Sequence, residues 1–312
     1  MIAPGELVVV APLSGGLGEA LRQRYGAVNG LDQADRARVR VLVTSGSVGA
    51  DAATIGALPG LELVAVFGVG YDRVDLDAAR ARGIAVTITP DVLTDDVADL
   101  AVGLLYAAAR RIAANDRFVR SGHWQKGEQA PFGRKVTGRR IGIIGLGRIG
   151  DAIARRLEPV AGAIAYHNRR PRADRTYAWH PCAQALAAAS DVLILSASSA
   201  AGQPPIVTAA VLDALGADGV FINIARGSAV DEAALVAALA DGRILAAGLD
   251  VFAHEPSVPS DLFAMDQVVL QPHIGSATPE TRDAMARLVL ANIVAWESGH
   301  PLPSPVASEG PR

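Results

Sequence analysis

A glycine-rich hexapeptide constrains the fold of this chain more than any other feature. The sequence Gly145-Leu146-Gly147-Arg148-Ile149-Gly150 follows the apolar run Ile141–Ile144 and precedes a helix-like stretch. A short apolar strand, a glycine turn and a helix, in this order, are typical of a dinucleotide-binding βαβ unit. In such a unit Gly145 makes the tight turn, Gly147 lets the backbone approach a pyrophosphate, and Gly150 lets helix and strand pack closely. The motif therefore predicts a cofactor site.

The residues after the next strand indicate which dinucleotide binds. The run Gly162–His167 ends in Asn168, Arg169 and Arg170. An NAD-specific unit usually has Asp or Glu here, which accepts hydrogen bonds from ribose hydroxyls and repels the extra phosphate of NADP. Arginine, in contrast, is suited to bidentate contact with phosphate. We expect NADP(H) to be preferred, with NAD(H) as the alternative cofactor; a solvated basic turn is the alternative interpretation of these arginines.

The composition of the chain limits which classes of binding partner and which cellular compartment we expect. The chain has 312 residues, 50% of them hydrophobic, which suffices for two domains with full cores. The net charge of −3 argues against nucleic acid or an anionic membrane as a partner, and no run approaches the ~20 apolar residues of a membrane helix. The single cysteine, Cys182, excludes an internal disulfide and is expected to be a buried apolar residue. We expect a cytoplasmic protein.

A metal site is not expected. His123, His167 and His180 have no carboxylate or cysteine at the spacing of metal ligands.

Strand and helix signals alternate along the chain, which predicts an α/β fold. Near-continuous apolar strands such as Leu61–Phe67 indicate parallel sheets covered on both faces. Apolar residues at helical spacing predict one long helix over Asp95–Arg120, of a length that suits a connection between two domains. A final helix, Pro279–Glu297, is long enough to return to the first part of the chain. We therefore expect two doubly wound parallel-sheet (Rossmann-like) domains.

One predicted domain is formed by two separate segments of the chain, and the other by the continuous segment between them. Residues 1–103 together with 280–312 are expected to form a flavodoxin-like, substrate-binding domain, and residues 104–279 the dinucleotide-binding domain. The first domain carries a second glycine-rich turn, Phe67-Gly68-Val69-Gly70-Tyr71-Asp72, at the carboxyl end of a predicted strand. Ligands of open α/β sheets bind at such ends. A plain turn is the alternative interpretation of this segment.

Three later strand ends carry polar side chains that fit one reaction. Arg226, Glu255 and His273 each follow a predicted strand, and the carboxyl ends of parallel strands converge on one crevice. An arginine fork holds a carboxylate and polarises the adjacent carbonyl. A histidine donates a proton as hydride arrives at carbon, and a carboxylate bonded to that histidine orients it and stabilises its charged form. This combination favours reduction of a 2-oxo acid.

The chain resembles the D-isomer-specific 2-hydroxyacid dehydrogenases, in particular their glyoxylate/hydroxypyruvate reductase branch. The resemblance covers about Val39 to Gly299 and depends on five motifs. These are the two glycine-rich turns given above, Asn223-Ile224-Ala225-Arg226-Gly227, Gly248-Leu249-Asp250-Val251-Phe252 with Glu255-Pro256, and Pro272-His273-Ile274-Gly275-Ser276-Ala277-Thr278.

The resemblance implies a role for individual residues. Arg226, Glu255 and His273 would be the catalytic triad, with Arg226 and His273 also contacting the substrate. The N–H groups of Val69 and Gly70 would bind the substrate carboxylate. Cofactor contacts are implied for Gly145, Gly147, Arg148, Ile149, Gly150, Asn168, Arg169, Arg170, Ile224, Ala225, Asp250 and Gly275.

Within this set the resemblance places Arg148 and Ile149 on the pyrophosphate and Asp250 on the nicotinamide carboxamide. It places Asn168, Arg169 and Arg170 on the adenosine end. It also implies a homodimer, joined through the nucleotide-binding domain, and an active site in the interdomain cleft. One segment departs from the family pattern: Ser196–Ala200 stands where members often have His-Ala-Pro-Leu-Thr.

The resulting prediction is an enzyme that reduces small 2-oxo acids such as glyoxylate or hydroxypyruvate to D-2-hydroxy acids with NADPH. Two alternatives stay open. One is an NAD-dependent D-2-hydroxyacid dehydrogenase such as phosphoglycerate dehydrogenase. The other is a non-catalytic scaffold that senses NAD(P)H, since corepressors with a similar sequence exist; the lack of a long charged extension argues against it.

Overall fold

Short runs, most of them apolar and buried on both faces, form the strands of two parallel sheets. The computed structural model describes residues 1–14, 16–197 and 203–306. The strands are β1 (Leu7–Val9), β2 (Val28–Asn29), β3 (Val41–Ser45), β4 (Leu63–Phe67), β5 (Ala85–Thr87), β6 (Arg140–Ile144), β7 (Ala163–His167), β8 (Ala178–Trp179), β9 (Val192–Leu195), β10 (Val220–Asn223), β11 (Ala246–Leu249) and β12 (Val268–Leu270).

Helices connect most of these strands. They are α1 (Leu17–Tyr25), α2 (Ala52–Gly56), α3 (Leu76–Ala81), α4 (Thr94–Ala109), α5 (Ile112–Arg120), α6 (Arg148–Leu157), α7 (Ala183–Ala188), α8 (Ala209–Leu215), α9 (Glu232–Ala240) and α10 (Pro279–Glu297). Short 3-10 helices lie at Trp124–Lys126, Gly227–Ala229 and Ser260–Ala264.

The chain divides into two α/β units. The terminal unit comprises Met1–Leu93 and the chain from Ser276, and the central unit is Thr94–Gly275. Both divisions fall earlier than the boundaries predicted from the sequence, which were 103/104 and 279/280. The reason for the first is that α4 packs against α6, β10 and β11 of the central unit. α10 has the predicted bounds and packs against β4 and α1 of the terminal unit.

The terminal unit is built on a five-stranded sheet with the order β2-β1-β3-β4-β5. All its pairings are parallel, with Val43 opposite Ala65 between β3 and β4. Val8, Leu42 and Val64 are fully buried in its core. This order is that of the flavodoxin-like doubly wound fold.

The central unit is built on a seven-stranded parallel sheet with the order β12-β11-β10-β9-β6-β7-β8. The chain runs outward from β6 on one side and from β9 on the other, so the sheet reverses its strand order between them. Leu193, Phe221 and Ala247 are fully buried in its core. The predicted fold class, two doubly wound Rossmann-like sheets, is confirmed.

The prediction of one helix over 95–120 is wrong. α4 ends at Ala109, and Arg111 adopts a left-handed φ of 54° before α5 begins. The carbonyl of Ala109 accepts the N–H of Arg134 at 2.7 Å instead of continuing the helical ladder. A Cβ on Gly133 would meet the Ala109 oxygen at 2.8 Å, so a distant glycine allows this approach. The break depends on a tertiary contact that helical spacing does not reveal.

Cys182 is exposed, contrary to expectation. It is the N-cap of α7, and its Sγ accepts the N–H of Ala185 at 3.4 Å. A capping residue lies at the end of its helix, where solvent reaches it. Within the described residues no helix is both long and apolar enough to cross a membrane.

Candidate active site

The glycine-rich turn connects β6 to α6 at the carboxyl end of the central sheet. Gly145 has a φ of 95°, in the left-handed region that favours glycine. A Cβ on Gly150 would overlap the carbonyl oxygen of Gly145, so glycine lets α6 start close to the strand. A Cβ on Gly147 would point into open space. Gly145 and Gly150 thus have the backbone roles expected from the sequence, and Gly147 leaves room for a ligand.

This turn fits a dinucleotide pyrophosphate. Gly147 is the N-cap of α6, and Arg148 and Ile149 form the start of its first turn. N–H groups of a first helical turn have no partners within the helix, and the helix dipole places partial positive charge beside them. The N–H of Leu146 is used differently, because it donates to Asn168 Oδ1 at 2.7 Å.

Asn168 supports the glycine-rich turn. Besides accepting from the Leu146 N–H, its Nδ2 donates to the Leu146 carbonyl at 3.4 Å. Its own carbonyl accepts the Trp179 indole N–H at 3.0 Å. The resemblance assigned Asn168 to the adenosine end of a cofactor; the structure shows in addition that its amide ties the end of β7 to the turn after β6. Arg169 and Arg170 follow it and are exposed.

A buried carboxylate organises the rest of this basic turn. Asp151, in the first turn of α6, is 7% exposed and accepts two hydrogen bonds from Arg175, one of them 2.8 Å long. Arg172 and Arg155 lie 3.7 Å and 3.5 Å from its carboxylate. The hydrogen bond from Arg175 lowers the pKa of Asp151 against the opposing effect of burial. These guanidinium groups neutralise a charge that would otherwise repel a pyrophosphate at this helix start.

Sequence reasoning missed this network. Arg172 also donates to the Leu146 carbonyl at 3.0 Å, so the basic turn and the glycine-rich turn are linked twice, by Arg172 and by Asn168. The sequence feature that could have indicated it is an acidic residue in the first turn of the helix, Asp151, together with two arginines three positions apart, Arg172 and Arg175. Arg172 therefore belongs to the framework of the turn.

The loop after β9 supports the glycine-rich turn at its start. Ser196 Oγ donates to the Gly145 carbonyl at 2.6 Å. Of the segment 196–200 that departs from the family pattern, residues 198–200 lie outside the described residues.

His273 and Glu255 form a pair at the carboxyl ends of β11 and β12. His273 Nδ1 and Glu255 Oε2 are 2.8 Å apart. Burial opposes ionisation of Glu255, but the hydrogen bond from His273, the N–H of Phe252 at 3.1 Å and the charge of Arg226 outweigh it and lower the pKa of Glu255. An ionised carboxylate only accepts hydrogen bonds, so Nδ1 carries a proton. Nε2 is then the ring nitrogen left for chemistry.

Asp250 fixes the loop that carries His273. Asp250 is 2% exposed, and its two carboxylate oxygens accept the N–H groups of Ile274 at 2.8 Å and Gly275 at 3.0 Å. Its carbonyl accepts the N–H of His273, also at 2.8 Å, and His273 has a left-handed φ of 55°. Burial raises the pKa of Asp250, opposed by these backbone donors. The resemblance assigned Asp250 to the cofactor; its contacts show that it also sets the conformation of the histidine loop.

Arg226 lies beside this pair. It follows β10 and the buried residues Ile224 and Ala225, and its carbonyl accepts Asn223 Nδ2 at 3.1 Å. A Cβ on Gly227 would overlap the backbone of Phe252 and Ala253, so the arginine turn is packed against the segment that leads to Glu255. The structure thus brings Arg226, Glu255 and His273 together within the central unit.

The second glycine-rich turn ends β4 in the terminal unit. Gly68, Val69 and Gly70 are partly exposed, and the Gly68 carbonyl accepts the N–H of Thr89 at 2.8 Å. The N–H groups of Val69 and Gly70 donate to no other residue that the structure describes. Backbone N–H groups of this kind are suitable donors for an anion.

No metal centre is found where the structure describes the chain: residues 1–14, 16–197 and 203–306 contain no group of three or more His, Cys, Asp or Glu side chains that could hold an ion.

Fold and site together define a two-unit, dinucleotide-dependent dehydrogenase. The model of the family described as D-isomer specific 2-hydroxyacid dehydrogenase, NAD binding domain, matches residues 102–275. The chain belongs to the D-isomer-specific 2-hydroxyacid dehydrogenases, as the sequence predicted.

Relatives of this chain have closely related activities. It is 46% identical over 308 residues to glyoxylate/hydroxypyruvate reductase A HPR2 of Arabidopsis thaliana, covering 96% of this chain and 98% of that protein. It is 48% identical over 268 residues to hydroxyphenylpyruvate reductase of Plectranthus scutellarioides, covering 86% and 85%. Among solved structures, it resembles the NADPH-dependent glyoxylate/hydroxypyruvate reductase SmGhrB of Sinorhizobium meliloti in complex with NADP and malonate, with a TM-score of 0.91, 43% identity and 97% coverage of both chains.

Proposed function

We propose that this protein is an NADPH-dependent reductase of small 2-oxo acids, such as glyoxylate and hydroxypyruvate, that forms D-2-hydroxy acids. The observation that carries this proposal is the hydrogen-bonded pair of His273 and Glu255, beside Arg226 and on the same sheet edge as the glycine-rich turn. A proton donor, a guanidinium and a nucleotide cradle are the parts that carbonyl reduction needs.

The cofactor is proposed to bind along the carboxyl edge of the central sheet. Gly145, Gly147 and Gly150 with the first turn of α6 would hold the pyrophosphate, and Arg169 and Arg170 the phosphate of the adenosine ribose. When bound there, NADPH would supply the hydride for C2 of the substrate. The preference over NADH is supported by the lack of Asp or Glu directly after β7 and by the NADPH dependence of the S. meliloti relative.

His273 is proposed to act as general acid. Its Nδ1 faces Glu255, so Nε2 delivers the proton to the oxygen of the substrate carbonyl. Glu255 keeps its negative charge as the pH falls, because its pKa is lowered, and it stabilises the imidazolium before transfer. Asp250 holds the histidine loop through Ile274 and Gly275.

Arg226 is proposed to hold the substrate beside the histidine. Its guanidinium can pair with the substrate carboxylate and polarise the carbonyl, which lowers the barrier to hydride arrival at C2. Within the terminal unit, the backbone N–H groups of Val69 and Gly70 are proposed as carboxylate donors. The terminal unit is accordingly proposed as the substrate-binding domain and the central unit as the dinucleotide-binding domain.

A homodimer is also part of the proposal. The central unit exposes apolar side chains around α5 and the segment after it, which an interface would cover. They are Ile112, Val119, Trp124 and Phe132, with exposed fractions of 54%, 51%, 69% and 95%. Light scattering after size-exclusion chromatography should give twice the mass of the chain, and a monomer at all concentrations would contradict this.

Steady-state rates across a panel of 2-oxo acids test the function. The purified protein should oxidise NADPH with glyoxylate or hydroxypyruvate, and kcat/KM with NADPH should exceed that with NADH by about tenfold or more, as expected for a charged hydrogen bond to phosphate. Chiral chromatography should identify the D isomer as product. Absence of turnover with every 2-oxo acid and both cofactors would refute the enzyme and favour the scaffold.

A further inference from the structure

Arg282 lies in the first turn of α10, within the terminal unit. Its guanidinium carbon is 5.6 Å from the centroid of the Phe67 ring, and its side chain is partly buried. Phe67 is itself 4% exposed and is the last residue of β4. Stacking on an aromatic face holds the planar guanidinium in a fixed orientation.

Arg282 has no acidic partner among the described residues. Its guanidinium makes no hydrogen bond or ion pair to any residue that the structure describes, and it contacts the ring of Phe67 instead. Burial lowers the pKa of Arg282, with no neighbouring carboxylate to oppose this effect. Arg156, which is also partly buried, bonds Asp99 at 2.6 Å and Asp95 at 2.8 Å.

A partly buried cation without an anion carries a desolvation cost that folding does not recover. Such a group is stabilised when an anionic ligand binds, and the guanidinium fork matches a carboxylate. The only anion with which the proposed reaction supplies this unit is the substrate, since every 2-oxo acid carries a carboxylate.

The position of Arg282 supports the same assignment. Phe67 directly precedes the turn Gly68–Gly70, whose backbone N–H groups are the proposed carboxylate donors of the terminal unit. The N–H of Thr89 donates to the Gly68 carbonyl of this turn at 2.8 Å. The carboxyl end of β4 therefore combines two backbone donors with one guanidinium that lacks a partner among the described residues.

We propose that Arg282 is a further substrate-binding residue, whose guanidinium binds the carboxylate that all 2-oxo acids share, together with the N–H groups of Val69 and Gly70. The inference depends on the proposed function, because that function supplies the anion. It assigns Arg282 to binding, so its removal should change KM and leave the chemical step nearly intact.

Arg282→Met tests this assignment, since methionine keeps an apolar side chain over Phe67 without the charge. The KM for glyoxylate and for hydroxypyruvate should rise by about 10- to 100-fold, the loss expected for a charged hydrogen bond. The kcat should stay within about threefold, and the Kd of NADPH measured by fluorescence should not change. The inhibition constant of oxalate, a planar carboxylate, should rise in parallel with KM. Arg287→Met, at an exposed position of the same helix, is the matched control and should leave all five values unchanged.

A folded Arg282→Met protein with unchanged KM and unchanged oxalate inhibition would overturn the inference and leave the proposed function standing. An equal rise of KM in Arg287→Met would also overturn it, because the effect would then be general to the helix. If Arg282→Met fails to fold, Arg282→Gln decides by the same criterion. Failure of the wild-type protein to reduce any 2-oxo acid would instead reject the proposed function.

Discussion

The two units have the same architecture and hold their functional groups in different ways. In the central unit, buried carboxylates position the chemistry: Asp250 fixes the histidine loop, and Asp151 fixes the basic turn through Arg175. In the terminal unit, the turn after β4 is held by backbone contacts and offers N–H groups. In both units the functional loops thus lie at the carboxyl end of a parallel sheet. The groups that these loops carry determine whether the loop takes part in catalysis or in binding.

This difference has a physical reason. A proton donor needs its ring nitrogen at a defined place, so the histidine loop is fixed by three hydrogen bonds to Asp250. Carboxylate binding tolerates more variation, because several donors contribute to it. Substitutions that loosen the histidine loop should therefore lower kcat, whereas those at the turn after β4 should raise the KM for the 2-oxo acid.

The largest effect is expected for His273→Gln. Loss of the proton donor should reduce kcat by about 10³-fold, within the range for general acid catalysis, while the Kd of NADPH stays within about twofold. Rapid-mixing kinetics with glyoxylate would measure the first, and fluorescence titration the second. His123→Gln removes a second His–Glu pair with a 2.8 Å separation, to Glu128 at the surface, and should have no effect on kcat. Full activity of the His273 variant would remove the acid role.

A smaller loss is expected for Asp250→Asn. An amide can accept one of the two N–H groups, and its own NH₂ faces the other donor, so the loop should shift and kcat should fall by about 10²-fold. Asp266→Asn, which breaks the exposed pair with Arg117, serves as the control. An unchanged kcat would show that the hydrogen bonds of Asp250 do not set the histidine position.

Arg169→Ala should have different effects on the KM values of NADPH and NADH. The KM for NADPH should rise by about 10- to 100-fold and that for NADH by less than about twofold, because only NADPH carries the additional phosphate. Arg120→Ala, an exposed arginine of α5, should change neither value. Equal effects on both cofactors would reject phosphate contact.

The smallest effect is expected for Asp151→Asn, on stability. The lowered pKa means that folded Asp151 releases its proton more readily than the unfolded chain does, so its contribution is complete above its ordinary value of 3.8. That contribution is lost as the pH falls through the lower folded-state pKa. At neutral pH the variant should have a Tm lower by roughly 2–4 °C, and the difference should vanish in acid. Asp213→Asn, from the exposed pair with Arg243, should change Tm less; a difference that persists in acid would contradict the ion-pair explanation.

Much of the fold could be predicted because it depends on local signals. The helix Pro279–Glu297 has the predicted bounds, since apolar periodicity and helix-ending residues coincide there. The break at Arg111 and the exposure of Cys182 could not be predicted, because the first depends on Gly133 and the second on a capping bond. The two-residue strands β2 and β8 are too short to show periodicity.

The sequence was sufficient to identify the residues of the site, but it did not reveal the contacts between them. Motifs pointed to Arg226, Glu255 and His273, because each stands at a strand end. The packing of Gly227 on Phe252 and the bonds of Asp250 join segments distant in sequence, and a single sequence does not show such pairs.

The contact of Gly227 with the backbone of Phe252 and Ala253 has a wider consequence. The turn that carries Arg226 and the segment that leads to Glu255 are in direct backbone contact at this point, so neither can move toward the other, and a displacement of one should displace both. Variants designed to change the substrate range should therefore keep glycine at position 227 and alter other loops. Any larger residue at 227 would separate Arg226 from Glu255.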